Sequence, residues 1–229
     1  MRAQTKKRNR KILQAKRTTF VERVLLWISS SKDIDGLWVG AEADAQRALP
    51  RVQEALSLIS NYDRPRYDLI VRDLDRIWVR LLTSGAGEFN AALRACVLEE
   101  RFVRAETTDA ALIAAVIVHE ATHARLWRCG FGYDEDERQR IEAICVRREL
   151  AFARRLPDGT TLREFAQGAL AISPSYWTNE ASSDRHVDGS VEALRYLGWG
   201  WLVRPLLAIR AWRFRKTSSK EDGQEKSTD

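Results

Sequence analysis

Residues Ala110 to Trp127 read AALIAAVIVHEATHARLW, and the centre of that stretch, His119-Glu120-Ala121-Thr122-His123, decides how the rest of the chain is read. Residues four apart on a helix share a face, so His119 and His123 present two imidazoles to one point while Glu120 sits about 100° round the axis. Two histidines at that spacing with a glutamate between them form the HExxH zinc arrangement. Ala111 to Val118 carry no charge, so the helix enters a core. Two imidazoles placed there need a partner. The chain holds three histidines, and two of them fall in this motif. A catalytic zinc takes three protein ligands and leaves its fourth position to water, whose proton Glu120 is placed to take.

With 229 residues and 45% apolar content the chain buries one sizeable core or two small ones, which excludes disorder throughout. Net charge is +6, yet residues 1–17 hold eight Lys or Arg and no acid, which leaves −2 for everything after them. The basicity belongs to an arm, expected to be disordered and solvated, with RNA, DNA or anionic lipid as its sharper alternatives. Nucleic acid ranks last, because no aromatic-interleaved motif accompanies the charge. Cys96, Cys129 and Cys145 are odd in number and lack paired spacing, which suits buried thiols in a reducing compartment and points to the cytoplasm. Phe20 to Ile28 is apolar but broken by Glu22 and Arg23, with no small-residue cleavage pattern after it, so no export signal is read. No uncharged apolar run reaches the roughly 18 residues of a membrane span.

Working outward from the motif, Thr107, Thr108 and Asp109 offer its helix an N-cap and Gly130 a C-terminal cap. Upstream, the spacing predicts helices over Thr18–Ser31, Ala41–Ser60 (kinked or restarted at Pro50) and Tyr67–Asp75. Strands are expected over Arg76–Leu82 and Ala95–Arg104, with loops at Ser31–Gly40 and Thr83–Gly87. Downstream, a helix over Asp134–Leu156 opens on acids that suit its dipole. Glu142 shares a stripe of that helix with Cys145, Val146, Ala153 and Leu156, where a lone charge is expensive unless paired or bound to metal. Glu142 is therefore the foremost third ligand; Glu149, two turns on, is the alternative ligand or a partner for a ligating histidine. A helix over Thr160–Ile172 and a polar loop over Ser173–Gly189 follow. Val191–Lys216 carries Trp199, Trp201 and Trp212 among arginines, which suits either a helix packed on the body or an interfacial anchor at a membrane surface. The chain thus divides into a basic arm (1–17), a body (18–190), a Trp/Arg-rich helical segment (191–216) and a polar tail (217–229) expected to be disordered.

The pair formed by the His119-to-His123 motif and Glu142, nineteen residues beyond it, resembles the gluzincin branch of the HExxH metallopeptidases in its small bacterial-type form. The run from Arg140-Ile141-Glu142-Ala143 to Leu156-Pro157 is similar to single-domain peptidases of that type, and the resemblance covers about Leu74 to Leu156. It implies a helix-dominated α+β fold, zincin-like, with a short sheet packed on the motif helix and on a second ligand-bearing helix. It implies zinc (Zn2+) held by His119, His123 and Glu142, with Glu120 as general base and a peptide or protein as substrate. It also implies that the strand Cys96–Val103 lies along the cleft, where an extended peptide adds to it. One departure stands out. Many members of the family carry an aspartate three or four residues beyond the ligand glutamate, and here those positions are Cys145 and Val146, so another acid such as Glu149, or a backbone carbonyl, must orient the histidine. His186, Tyr133 and Tyr176 are candidates for the second donor to an oxyanion. The competing reading is a non-catalytic, zinc-stabilised protein at the membrane periphery, with Cys145 the thiol near enough to close the fourth metal position.

Overall fold

Short runs of alternating side chains build the sheet in the computed structural model, which describes residues 18–200 and Val203. Its strands are β1 (Ser30–Ile34), β2 (Leu37–Ala41), β3 (Arg76–Arg80), β4 (Gly87–Asn90) and β5 (Ala95–Glu99), in the order β1-β2-β3-β5-β4. β2, β3 and β5 run parallel, and the edge strands β1 and β4 run antiparallel to their neighbours. Around the sheet lie α1 (Phe20–Ile28), α2 (Ala45–Tyr62), α3 (Arg64–Asp73), α4 (Glu100–Arg104), α5 (Ala110–Arg128), α6 (Glu135–Ala153), α7 (Thr160–Leu170) and α8 (Asn179–Tyr196). The class is α+β with helix dominant.

Period-two alternation sorts the strand residues between two cores. Val39, Val79, Cys96 and Leu98 face α2, α3 and α5 in the main core, whereas Trp78, Ala95 and Val97 turn to the other side, where Leu25 and Leu26 of α1 pack on them. The motif helix α5 is apolar nearly all round, with Ile113, Ala114, Ile117, Val118 and Ala124 buried. It packs against the sheet, α2 and α3 as well as α6. Burying each large side chain of this kind stabilises by about 1.5–3 kcal/mol, so α5 is fixed mainly by tertiary contact. Its ends are also specified locally. Asp109 accepts a hydrogen bond from the Leu112 amide at 2.7 Å, and Gly130 adopts φ 82° while the Phe131 amide reaches back to the Leu126 carbonyl at 3.0 Å.

Several expectations change. Ser31–Gly40 is not a loop but the β1–β2 hairpin, turned by Asp35 (φ 53°) and Gly36 (φ 83°), a two-residue Asp-Gly turn whose twist matches the strands. The strand expected over Ala95–Arg104 stops at Glu99, whose side chain accepts from the Phe102 amide and starts α4. α2 passes through Pro50 without ending. The expected loop Ser173–Gly189 is a 3-10 turn (Pro174–Trp177) and most of α8, capped by Thr178. That helix buries only Ala193 fully, so its apolar signal is weak, and the expected boundary at Ser190 falls inside it. Cys96 and Cys145 are buried, but Cys129 sits exposed at the end of α5. The arm 1–17, Trp201, Trp212 and the tail 217–229 lie outside the described residues. Among the described residues no helix is long and apolar enough to cross a membrane.

Candidate metal centre

α5 and α6 pack side by side, and their facing stripes bring three ligand atoms together. His119 Nε2 lies 3.1 Å from His123 Nε2 and 3.1 Å from Glu142 Oε2, and His123 Nε2 lies 3.4 Å from Glu142 Oε1. Ligands about 2.05 Å from zinc at the tetrahedral angle stand about 3.3 Å from one another, and these three contacts lie near that spacing, with Glu142 meeting the two histidines through different oxygens. The donor set, two imidazoles and a carboxylate, also suits a divalent ion. Glu120 lies on the neighbouring face of α5, buried and lining the same cavity.

A second layer holds the ligands. Glu149 Oε1 contacts His119 Nδ1, and the Tyr133 hydroxyl donates to Glu142 Oε1. With its Nδ1 hydrogen directed at Glu149, a neutral His119 keeps the Nε2 lone pair pointed into the triangle. Glu149 thus fills the place left empty by Cys145 and Val146, one full helical repeat after Glu142. Tyr133 packs edge-on to His123 at 5.4 Å, with the Arg138 guanidinium 5.2 Å from its ring centre.

Charge and burial oppose each other throughout. Burial pushes the Glu142 carboxyl up, but hydrogen bonds and charge from His119 and His123 outweigh it and hold the group well below the usual carboxylate range. Burial pushes His119 down, and its hydrogen bonds with Glu142 and Glu149 outweigh that, so it rises well above 6.5. Burial raises Glu120, opposed by the two histidines and reinforced by Glu142 and Glu88. The Cys145 thiol is raised by burial and by the charges of Glu142, Glu120 and Glu149. Its sulfur completes a group with the two histidines in which all ligand atoms lie within 4.8 Å of one another. Glu142 approaches the same two nitrogens within 3.4 Å, so a carboxylate and a thiol both lie within reach of the histidine pair.

The triangle opens on a cavity of about 370 Å³ walled by Gly87 to Phe89 of β4, by Leu126 and Trp127 of α5, and by Phe131 and Ile141. The strand along this cleft is β4, absent from the expected elements. β5, which holds Cys96, is paired on both sides and offers no edge to a peptide, which corrects the expected role of Cys96–Val103. The signal for β4 was slight, since only four residues form it and Phe89 alone among them is large and apolar. Gly87 is required there: a Cβ would stand 2.6 Å from Val116 Cγ1 and 3.4 Å from Glu120 Cγ. His186 is not brought to the triangle. It lies on α8, exposed, with Nδ1 at 3.1 Å from Ser84 Oγ, in an adjoining cavity of about 670 Å³ that also holds Tyr176 and shares Gly87, Glu88 and Tyr133 with the cleft. Of the three candidate oxyanion donors, only Tyr133 lines the cavity that holds the triangle. Neither a scan against family models nor searches of curated proteins and of solved structures finds a match to this chain.

Proposed function

We propose that this protein is a zinc-dependent peptidase of the gluzincin type, with His119, His123 and Glu142 holding the metal and Glu120 as the general base. The observation that carries the reading is the meeting of His119 Nε2 and His123 Nε2, 3.1 Å apart, with the two oxygens of Glu142 at 3.1 and 3.4 Å, beside the buried Glu120 in the wall of the same cavity. Zinc in such a site supplies Lewis acidity, lowering the pKa of water toward about 7 and polarising a carbonyl. The chain's own groups do the rest. Glu120 accepts the proton of the attacking water and returns it to the leaving nitrogen. Glu149 keeps His119 in the ligating tautomer. Tyr133, raised by burial and by Glu142 and hence protonated, offers a hydroxyl at the wall of the cleft. The substrate is a peptide or protein, lying along β4, and three unpaired cysteines suit a cytoplasmic location.

A second reading rests on Cys145. If its thiol closes the fourth position, the zinc is structural and the protein non-catalytic. Metal analysis by mass spectrometry on wild type, His123→Ala and Glu142→Ala, beside digestion of a peptide library by wild type and Glu120→Gln, tests the first reading. Its expected outcome is one zinc per chain, weakened in both ligand variants, with cleavage lost in Glu120→Gln. Wild type without metal sinks the site altogether. A cobalt-substituted protein separates the two readings: a sulfur-to-cobalt charge-transfer band that disappears in Cys145→Ala means a closed structural site, and its absence means an open one.

A further inference from the structure

α1 carries two apolar faces and the fold uses one. Leu25 and Leu26 pack on the Trp78 side of the sheet. Phe20, Val21, Val24, Trp27 and Ile28 fall within about 120° of the helix circumference on the remaining side, and all five are exposed. Phe20 is 73% and Trp27 85% accessible, and none of the nine residues of the helix is buried. Five of the fourteen exposed large apolar residues among the described residues therefore sit on this one short helix. Scattered exposed apolar side chains need no explanation, whereas a contiguous stripe does.

What adjoins the stripe decides its partner. The eight Lys and Arg of residues 1–17 run directly into it, ending at Lys16 and Arg17, three residues before Phe20. On α1 itself Glu22 is occupied by the Thr19 cap and by Asn90, and Arg23 is basic. Residues 201–216 add five more Lys or Arg and no acid, so the segment at the other terminus matches the arm in sign and is a poor complement to it. A Trp/Phe/Val/Ile face joined to a dense basic segment is the pattern of a helix lying in the headgroup region of an anionic bilayer. We propose that α1 and the preceding arm dock the protein peripherally on anionic lipid, Phe20, Val24 and Trp27 entering the interface and the arm neutralising headgroup charge. This surface is separate from the metal centre and does not depend on catalysis.

The test is co-sedimentation of the full chain with phosphatidylcholine vesicles, with and without phosphatidylglycerol, for wild type, Phe20→Glu/Trp27→Glu, and a variant with Lys6, Lys7, Arg8 and Arg10 changed to Gln. Circular dichroism confirms folding of both variants, and Phe20 and Trp27 are exposed in the fold. Binding is expected only with phosphatidylglycerol, at least tenfold weaker in the helix variant. The arm variant should lose about fivefold per charge removed, and wild-type binding should fall with added salt. No binding to either vesicle, or binding unaffected by the helix substitutions, overturns the proposal. So does a wild-type dimer that dissociates in the helix variant, because the stripe is then a self-interface. Arm-dependent binding to RNA without binding to vesicles overturns it as well.

Discussion

Glu149 and Glu142 grip opposite nitrogens of His119, so a single ring is fixed by two acids two turns apart on α6. Glu149→Gln leaves the three proposed ligands in place but weakens the hold on the tautomer and orientation of His119. Zinc affinity should fall by about 10–100-fold, measured by competition with a chromogenic chelator. An unchanged affinity would make Glu149 a bystander. The same contacts set the pH response of the metal-free chain. His119 is raised above 6.5, so its contribution is complete below pH 6.5 and is lost as pH climbs through the higher folded value. Glu142 is lowered from 4.5, so its contribution is present above pH 4.5 and is lost as pH falls through the lower folded value. Thermal melts in chelator should therefore be highest between about pH 4.5 and 6.5 and decline on either side, and His119→Gln should remove the alkaline limb.

At the scale of elements, the cleft depends on how closely β4 lies on α5. Gly87 allows that approach, and Gly87→Val forces β4 off Val116 and Glu120 at a cost of about 1–3 kcal/mol, read as a lowered Tm, with loss of peptide cleavage beyond what the melting shift explains. The start of α5 is a separate matter. Asp109→Ala removes the bond to the Leu112 amide and should destabilise by about 1 kcal/mol with metal stoichiometry unchanged, since the cap is nearly three turns from His119. Elements were legible where they bury a continuous face or run: α5 and α6 bury residues along most of their length, and β3 buries Ile77, Trp78 and Val79. β4 and α8 were not legible, because a four-residue edge strand and a helix with one buried residue carry little periodic signal.

For the whole molecule, the question is what keeps α6 at the distance from α5 that the triangle needs. Part of the answer is a pair of buried acids on α3 and its approach. Asp63 takes Arg66 and, at 2.9 Å, Arg155 from beyond the end of α6; Asp73 takes Arg72 and, from α5, Arg128. Asp63→Asn should destabilise by about 1–3 kcal/mol in urea unfolding followed by circular dichroism, because the buried site keeps its shape while the arginines lose their counter-charge. α8 is held differently. At Gly189 a Cβ would stand 1.3 Å from the Thr83 carbonyl, so the helix backbone sits directly against the β3–β4 loop and carries His186 to that loop rather than to the ligands.

The sequence by itself determined the motif helix, its caps, the two histidines on one face and the apolar stripe that turned Glu142 inward, because each of these follows from spacing along a single helix. It left Glu142 and Glu149 as alternatives, since both occupy the same stripe of α6 and spacing cannot say which carboxylate meets which nitrogen. Only the packing of α6 on α5 assigned Glu142 to the Nε2 atoms and Glu149 to Nδ1. The same holds for the cleft. Which strand has a free edge is a property of sheet order, and sheet order depends on contacts between residues far apart in the chain, which local periodicity does not record.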